Sequence, residues 1–265
     1  MNFYPTRYSE LSNSEVNELY RADTWERLNR NERLDSLQEL ENRSAELLGN
    51  QPCEVHLEQM NGARYGYYHN GEIYVNESLV KNGEFTVQYD DGTTASYAPA
   101  DTNAQLMDTI HHENYHAYQS DVINGIIEHD NVAEVNQWRA NWDNDNYISN
   151  NDPLYRVQSL EKSAFEHGES LTKVAYDEIE TKYGVDTGYR KYLESINEHS
   201  YDNALTEAKV LYDDVNIESA LNEKMIQNYH ANHVEIQTSD LSESNSISIE
   251  SSASLDAADG MENSF

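Results

Sequence analysis

Between positions 111 and 116 the chain reads His111-His112-Glu113-Asn114-Tyr115-His116, so that His112, Glu113 and His116 form the pattern His-Glu-x-x-His. On a helix, positions i and i+4 stand on one face a turn apart, and two imidazoles placed there can grip one metal ion. Glu113 is rotated about 100° from His112, beside such an ion rather than on it. From that place a carboxylate can take a proton from water and return it to a leaving amine. Zinc suits the pattern, because it lowers the pKa of bound water toward neutrality and polarises a carbonyl. With 10 His and 30 Glu in the chain, a shuffled sequence would carry the pattern only about 0.04 times. Leu106, Met107, Ile110 and Ala117 flank it, which predicts a buried helix rather than two surface histidines.

A catalytic zinc takes three protein ligands and leaves its fourth position to water. A glycine and a further histidine beyond His116 would complete a metzincin set, but Gln119 and Val122 occupy those places. The alternative is a glutamate on a later helix, the gluzincin arrangement, for which Glu161 is the best candidate. Tyr155, Gln158, Glu161 and Ala164 step by three along one predicted helical face, and small Ala164 permits close approach of two helices. Glu166, His167, Glu169 and His129 stay open as substitutes. His111 points off the metal face and reads as a packing residue or a partner of the ligands. Tyr118 and Tyr155 are candidates to hydrogen-bond a developing oxyanion, although with 20 tyrosines in the chain the core is the commoner destination. Gln119 reads as a brace within the helix.

The elements that must position these residues follow from periodicity. Leu34, Leu37, Leu40, Leu47 and Leu48, closed by Gly49, predict an N-terminal helix over 12–49. Strand alternation runs over 53–97, with a tight turn at Asn70-Gly71 and a second hairpin turning at Asp91-Gly92. The active-site helix covers 102–123. An Asn- and Asp-rich stretch over 129–152, with a short amphipathic piece at Trp138 and Trp142, reads as an excursion from the domain, either a lid or a solvated loop. The helical half, 154–232, divides into 154–183, 187–198 and 202–232. From 234 to 265 the chain turns Ser-rich and acidic, with no Lys or Arg after Lys224, and reads as a disordered tail behind a domain of residues 1–233.

Seventeen Lys and Arg against 49 Asp and Glu give a net charge of -32 over 265 residues. That balance excludes a phosphate-neutralising nucleic-acid surface and docking on anionic lipid and favours basic substrates or a basic protein partner; a peptide or protein substrate is what the metal-site pattern leads one to expect. A mean hydropathy of -0.86 and the lack of an apolar run of about 18–20 residues argue against a membrane span. Met1-Asn2-Phe3-Tyr4-Pro5 does not open like a secretory signal, so the expected location is the cytoplasm or the outside by a route that reads no such peptide. The single Cys53 leaves no internal disulfide and no cysteine-rich cluster, and no Walker-type loop, G-x-S-x-G or C-x-x-C is present.

The succession of a helix, Val55 to Leu57, Gly66-Tyr67-Tyr68, Ile73-Tyr74-Val75-Asn76, His112-Glu113-x-x-His116-Ala117-Tyr118-Gln119 and Tyr155-x-x-Gln158-x-x-Glu161-x-x-Ala164 resembles small bacterial gluzincin-type metallopeptidase domains. Such domains occur in phage-borne and secreted toxin or effector proteins, and the likeness spans roughly 30 to 170. It implies an α+β chain with a zincin-like metallopeptidase core: a small antiparallel sheet, an active-site helix and a helical C-terminal half. It further implies Zn2+ held by His112, His116 and Glu161, with Glu113 as general base for a zinc-activated water, and an extended peptide bound along a sheet edge. One departure stands out. The family often has Asp two residues after the third ligand, where this chain has Ser163, and such a carboxylate normally orients a ligand imidazole. Two other functions compete: a catalytically silent zincin scaffold that binds a basic partner through its acidic surface, and a metal-dependent hydrolase of non-peptide amides.

Overall fold

The computed structural model describes residues 13–60, 64–81, 85–88, 92, 94–143, 146–149 and 152–243. The N-terminal stretch expected as one helix is three: α1 (Asn13–Leu19), α2 (Ala22–Trp25) and α3 (Arg30–Leu48). Asn29 causes the last break. Its side chain accepts from the Asn31 and Glu32 amides, and Glu32 accepts from the Asn29 amide in return. A capping box of this kind satisfies donors that every helix start leaves open, so a new start outcompetes continuation. Buried Arg33 then locks the junction, donating to the carbonyls of Trp25, Glu26, Val80 and Lys81 over 2.7–3.2 Å. Gly49 ends α3 in the left-handed region, as its place after Leu48 predicts.

Three strands follow, β1 (Glu54–Glu58), β2 (Gly66–His69) and β3 (Glu72–Asn76), in the spatial order β1-β3-β2. Asn70 and Gly71 both take positive φ, 50° and 85°, as a two-residue turn matched to strand twist requires. That turn makes β2 antiparallel to β3. The chain has by then crossed to the far edge, so β3 returns beside β1 in the same direction. The sheet is therefore mixed, not antiparallel as expected. Val55 pairs with Ile73 and Leu57 with Val75, which sends the aliphatic face inward, while buried Tyr67 stacks on Tyr74 on the other face. After the short helix α4 (Glu77–Val80), β4 (Phe85–Gln88) and β5 (Thr94–Tyr97) form a separate two-stranded antiparallel sheet. Of its expected turn, Gly92 has a φ of 83° and Asp91 lies outside the described residues.

The motif helix α5 (Asn103–Ile123) lies against α3, β2 and the later helices α6 (Val132–Trp142), α7 (Ser159–Tyr183) and α8 (Thr187–Glu198). Its apolar residues Leu106, Met107 and Ile110 join Leu37, Leu40, Ile73, Val75, Tyr176 and Ile179 in the main core. The chain closes with α9 (Tyr201–Leu211) and α10 (Ile217–Glu243). Ile217, Leu221 and Met225 of α10 pack on Ala140, Leu154, Val157 and Ala208 as a second core. The stretch expected as one helix over 202–232 is thus two, and the last one passes the expected boundary at 233 and runs to Glu243. Residues 244–265, the rest of the stretch read as a tail, lie outside the described residues. The architecture is α+β, and no helix among the described residues is long and apolar enough to cross a membrane.

The largest departure concerns the described part of 129–152, which packs into the fold instead of leaving it. Trp138 of α6 is fully buried and its ring packs against Tyr115, Tyr118 and His129. Helix α7 also starts later than expected. Tyr155 sits in a 3-10 turn (Tyr155–Val157), and extended Gln158 is the cap. Asn141 of α6 accepts from the Leu160 amide in the first turn of α7 and donates to Gln158.

Candidate metal centre

Most of the polar side chains of α5 are buried, which is unusual for a helix at the heart of a core, since each buried polar group needs a partner. Away from the motif the partners belong to the fold. Asn103 donates to the Tyr20 carbonyl and to Asp186, and Asn114 donates to Glu41. His111 lies 2.8 Å from Ser44 of α3, and burial, then His167, lower its pKa to about 3. It faces away from its neighbour in sequence, as its one-residue offset predicts.

His112 and His116 turn the other way. Their Nε2 atoms are 3.1 Å apart, and Glu161 lies over both, Oε2 at 3.4 Å from His112 and Oε1 at 3.4 Å from His116. Zinc bonds of about 2.0–2.1 Å in a tetrahedron put neighbouring ligand atoms about 3.3–3.4 Å apart. The two imidazole–carboxylate separations match, each through a different oxygen of Glu161, and the imidazoles stand closer, at 3.1 Å, so this cluster could hold one metal ion. Glu113 stands close by, its ligand atom and those of the two histidines all within 4.8 Å of one another, yet its Oε1 is buried without a hydrogen bond. All four side chains are only 1–3% exposed.

Helix α7 can bring Glu161 this close because its facing side is small. Ala164 contributes, as expected, but the closest approach is at Gly168, which the sequence reading missed. A Cβ there would stand 2.6 Å from Asp108 Oδ1, 3.1 Å from the Asp108 carbonyl oxygen and 3.3 Å from the His112 backbone nitrogen. Phe165 lays its ring 4.5 Å from that of His112.

The surroundings also explain Ser163. The Gln119 amide nitrogen donates to the Leu160 carbonyl at 3.0 Å and to Ser163 Oγ at 2.9 Å. A carbonyl can only accept, so the amide oxygen must be the atom that meets His116 Nδ1 at 2.7 Å. That nitrogen consequently carries a proton whether the ring is neutral or charged, which leaves Nε2, facing Glu161 and His112, as the nitrogen that can give up its proton to a metal. Ser163 in turn accepts from Trp138 Nε1 at 3.0 Å and donates to the Ser159 carbonyl at 2.9 Å, which fills its hydroxyl. Gln119, anchored by Ser163, orients the imidazole. The stretch 129–152 contributes a second support, since Tyr147 donates to Glu161 Oε1 at 2.8 Å. Its only signal in the sequence was aromatic residues, Trp138, Trp142 and Tyr147, amid polar ones.

Electrostatics agree with the geometry. Burial opposes charge on His116, but the Glu161 carboxylate outweighs it and lifts the pKa to about 9. Burial would likewise raise Glu161, yet His116 and His112 hold it well below the carboxylate range. For Glu113 burial wins over the two histidines and the pKa is raised. The remaining candidates lie elsewhere. His167 stacks on Tyr115, Glu169 pairs with Arg156, Glu166 is exposed, and His129 bonds Tyr118 and Glu134. Tyr118 is thereby directed to His129. Buried Tyr155 has its phenol pKa raised, first by burial and then by the charge of Glu161.

No family model matches the chain, and neither a curated protein nor a solved structure matches it. The functional argument accordingly rests on the residues themselves.

Proposed function

We propose that the chain is a zinc-dependent metallopeptidase with a gluzincin-like centre in a zincin-like core. The observation that carries this reading is Glu161, which lies 3.4 Å from both imidazole nitrogens while Glu113 stands beside them with a bare oxygen. His112, His116 and Glu161 would hold the ion, which supplies polarisation of a carbonyl and acidification of water. A structural zinc is usually closed by four protein ligands; Glu113, whose ligand atom lies within 4.8 Å of those of the two histidines, is assigned here as the base because its one-residue offset from His112 turns it beside an ion rather than onto it. Glu113 takes a proton from the attacking water and delivers it to the departing amine. Gln119 keeps the His116 proton on Nδ1, and Tyr147 fixes one oxygen of Glu161. A peptide is favoured over another amide because β2 is one of the two outer strands of the sheet and packs on α5 at Gly66, beside Thr109. Extended peptides add to such edges through backbone hydrogen bonds.

One observation favours the second reading, a zincin scaffold that holds metal without turnover: the four side chains are almost wholly buried. Two measurements decide. Elemental analysis should find about one zinc per chain in wild type, lost or much weakened in Glu161→Ala and retained in His167→Ala. Glu113→Gln should keep the zinc and lower peptide hydrolysis by about 10²–10⁴-fold. No zinc in wild type after incubation with zinc and dialysis refutes the metal centre, and zinc without hydrolysis of a peptide library selects the silent scaffold.

A further inference from the structure

A cavity of about 660 Å³ opens next to the metal centre, between the first half of α5, the 3-10 turn at Tyr155, α8 and α9. None of the four metal-centre residues lines it, but two of its walls approach them. Asp108 precedes His112 by one helical turn, and Tyr155 lies close enough to Glu161 for that charge to act on its phenol. Tyr65, Tyr97 and Tyr155 line it with aromatic rings, and Ile196 adds apolar surface. Exposed Glu194, Glu198 and Glu207 stand around it. The cation in its wall, Arg156, is already engaged, pairing with Glu169 at 3.0 Å, donating to the His199 carbonyl and lying 3.6 Å over the Phe165 ring. Deeper in, Asp108 is 4% exposed and its Oδ1 has no hydrogen bond.

We infer that this cavity receives a segment of the substrate bearing a basic side chain, lysine or arginine; the inference rests on the peptidase reading. Aromatic faces and carboxylates are the two protein surfaces that attract an organic cation, and here they occur together. A lysine or arginine also has an apolar stem that can lie along tyrosine rings while its charged end meets the carboxylates. The volume falls in the range of sites that bind small molecules or a few residues of peptide. A neutral side chain would gain the apolar walls but no attraction from the three rim carboxylates.

The test compares two probes on the zinc-loaded full chain, N-acetyl-arginine methylamide and its uncharged counterpart N-acetyl-norleucine methylamide, by calorimetry or ligand-observed NMR. Three rim charges, each screened by solvent, should favour the arginine probe by about tenfold. The triple variant Glu194→Gln, Glu198→Gln, Glu207→Gln should lose that preference with zinc content and melting temperature unchanged. Equal binding of the two probes overturns the inference, as does a preference that survives in the triple variant. Zinc content measured on the same samples separates the failures. Chains without zinc overturn the peptidase reading whatever the probes do, whereas zinc-loaded chains that treat the probes alike overturn the basic-residue cavity alone.

Discussion

Replacing Gln119 by leucine tests how the imidazole is held. Wild-type Gln119 is fully buried and makes three contacts, at 2.7 Å to His116 Nδ1, 3.0 Å to the Leu160 carbonyl and 2.9 Å to Ser163. In Gln119→Leu, Ser163 keeps Trp138 and the Ser159 carbonyl, and the Leu160 carbonyl lies within α7, where the helical ladder supplies its partner. The group left stranded is the Nδ1 proton of His116. A buried donor without a partner costs about 1–3 kcal/mol, which for a domain of this size lowers the melting temperature by about 3–10 °C. Without its acceptor the ring also loses its reason to keep the proton on Nδ1, and a proton moved to Nε2 blocks the ligating lone pair. Zinc affinity should therefore fall by about 10–100-fold, the range for partners that orient metal ligands. The assay is competition for zinc against a chelating dye, with melting curves on the same samples. Gln119→Glu, which restores an acceptor, should recover part of the affinity. If Gln119→Leu melts lower yet binds zinc within twofold of wild type, Gln119 is merely a packing residue and the orientation argument fails.

Other outcomes follow from the same geometry. Gly168→Ala gains about 1 kcal/mol of helix propensity but forces a Cβ against the α5 backbone, where overpacking costs about 1–3 kcal/mol. The variant should melt lower and bind zinc less tightly, and a higher melting temperature would show that the helices are not in contact there. Tyr147→Phe removes the hydrogen bond to Glu161 and should weaken zinc binding up to about tenfold; unchanged affinity would mean that the 129–152 segment does not support the ligand. Glu41, buried beneath α5, has its carboxyl pushed by burial from 4.5 to about 7, against hydrogen bonds from the Cys53 amide and Asn114. Its proton is held more tightly in the folded chain, so the associated stability is full below pH 4.5 and is lost as pH rises through 7, about 3 kcal/mol in all. Glu41→Gln should remove that limb, so that the stability difference between wild type and variant changes between pH 4 and 8; a difference independent of pH would refute the assignment.

Residue spacing alone determined which motif side chains share a helical face. His112, Glu113 and His116 are set by one helical turn, a local geometry that any helix reproduces, and Glu161 was traceable because a helical face with small Ala164 runs past it. The Asn70-Gly71 turn and the Gly49 cap were legible for the same reason, since backbone sterics act over a few residues. What depended on distant contacts was not legible. The direction of β1 relative to β3 follows from where the hairpin docks, and the break before α3 from a capping box reinforced by Arg33 reaching α4. The Asn- and Asp-rich stretch gave no hint that Trp138 would be buried or that Tyr147 would reach Glu161. Gln119 and Ser163 lie 44 positions apart, and Gly168 matters only because Asp108 and His112 are opposite it. Ligand types and periodicity are properties of neighbours along the chain. The closeness of two helices, and the hydrogen bonds that choose which nitrogen of His116 faces a metal, exist only once the chain has packed.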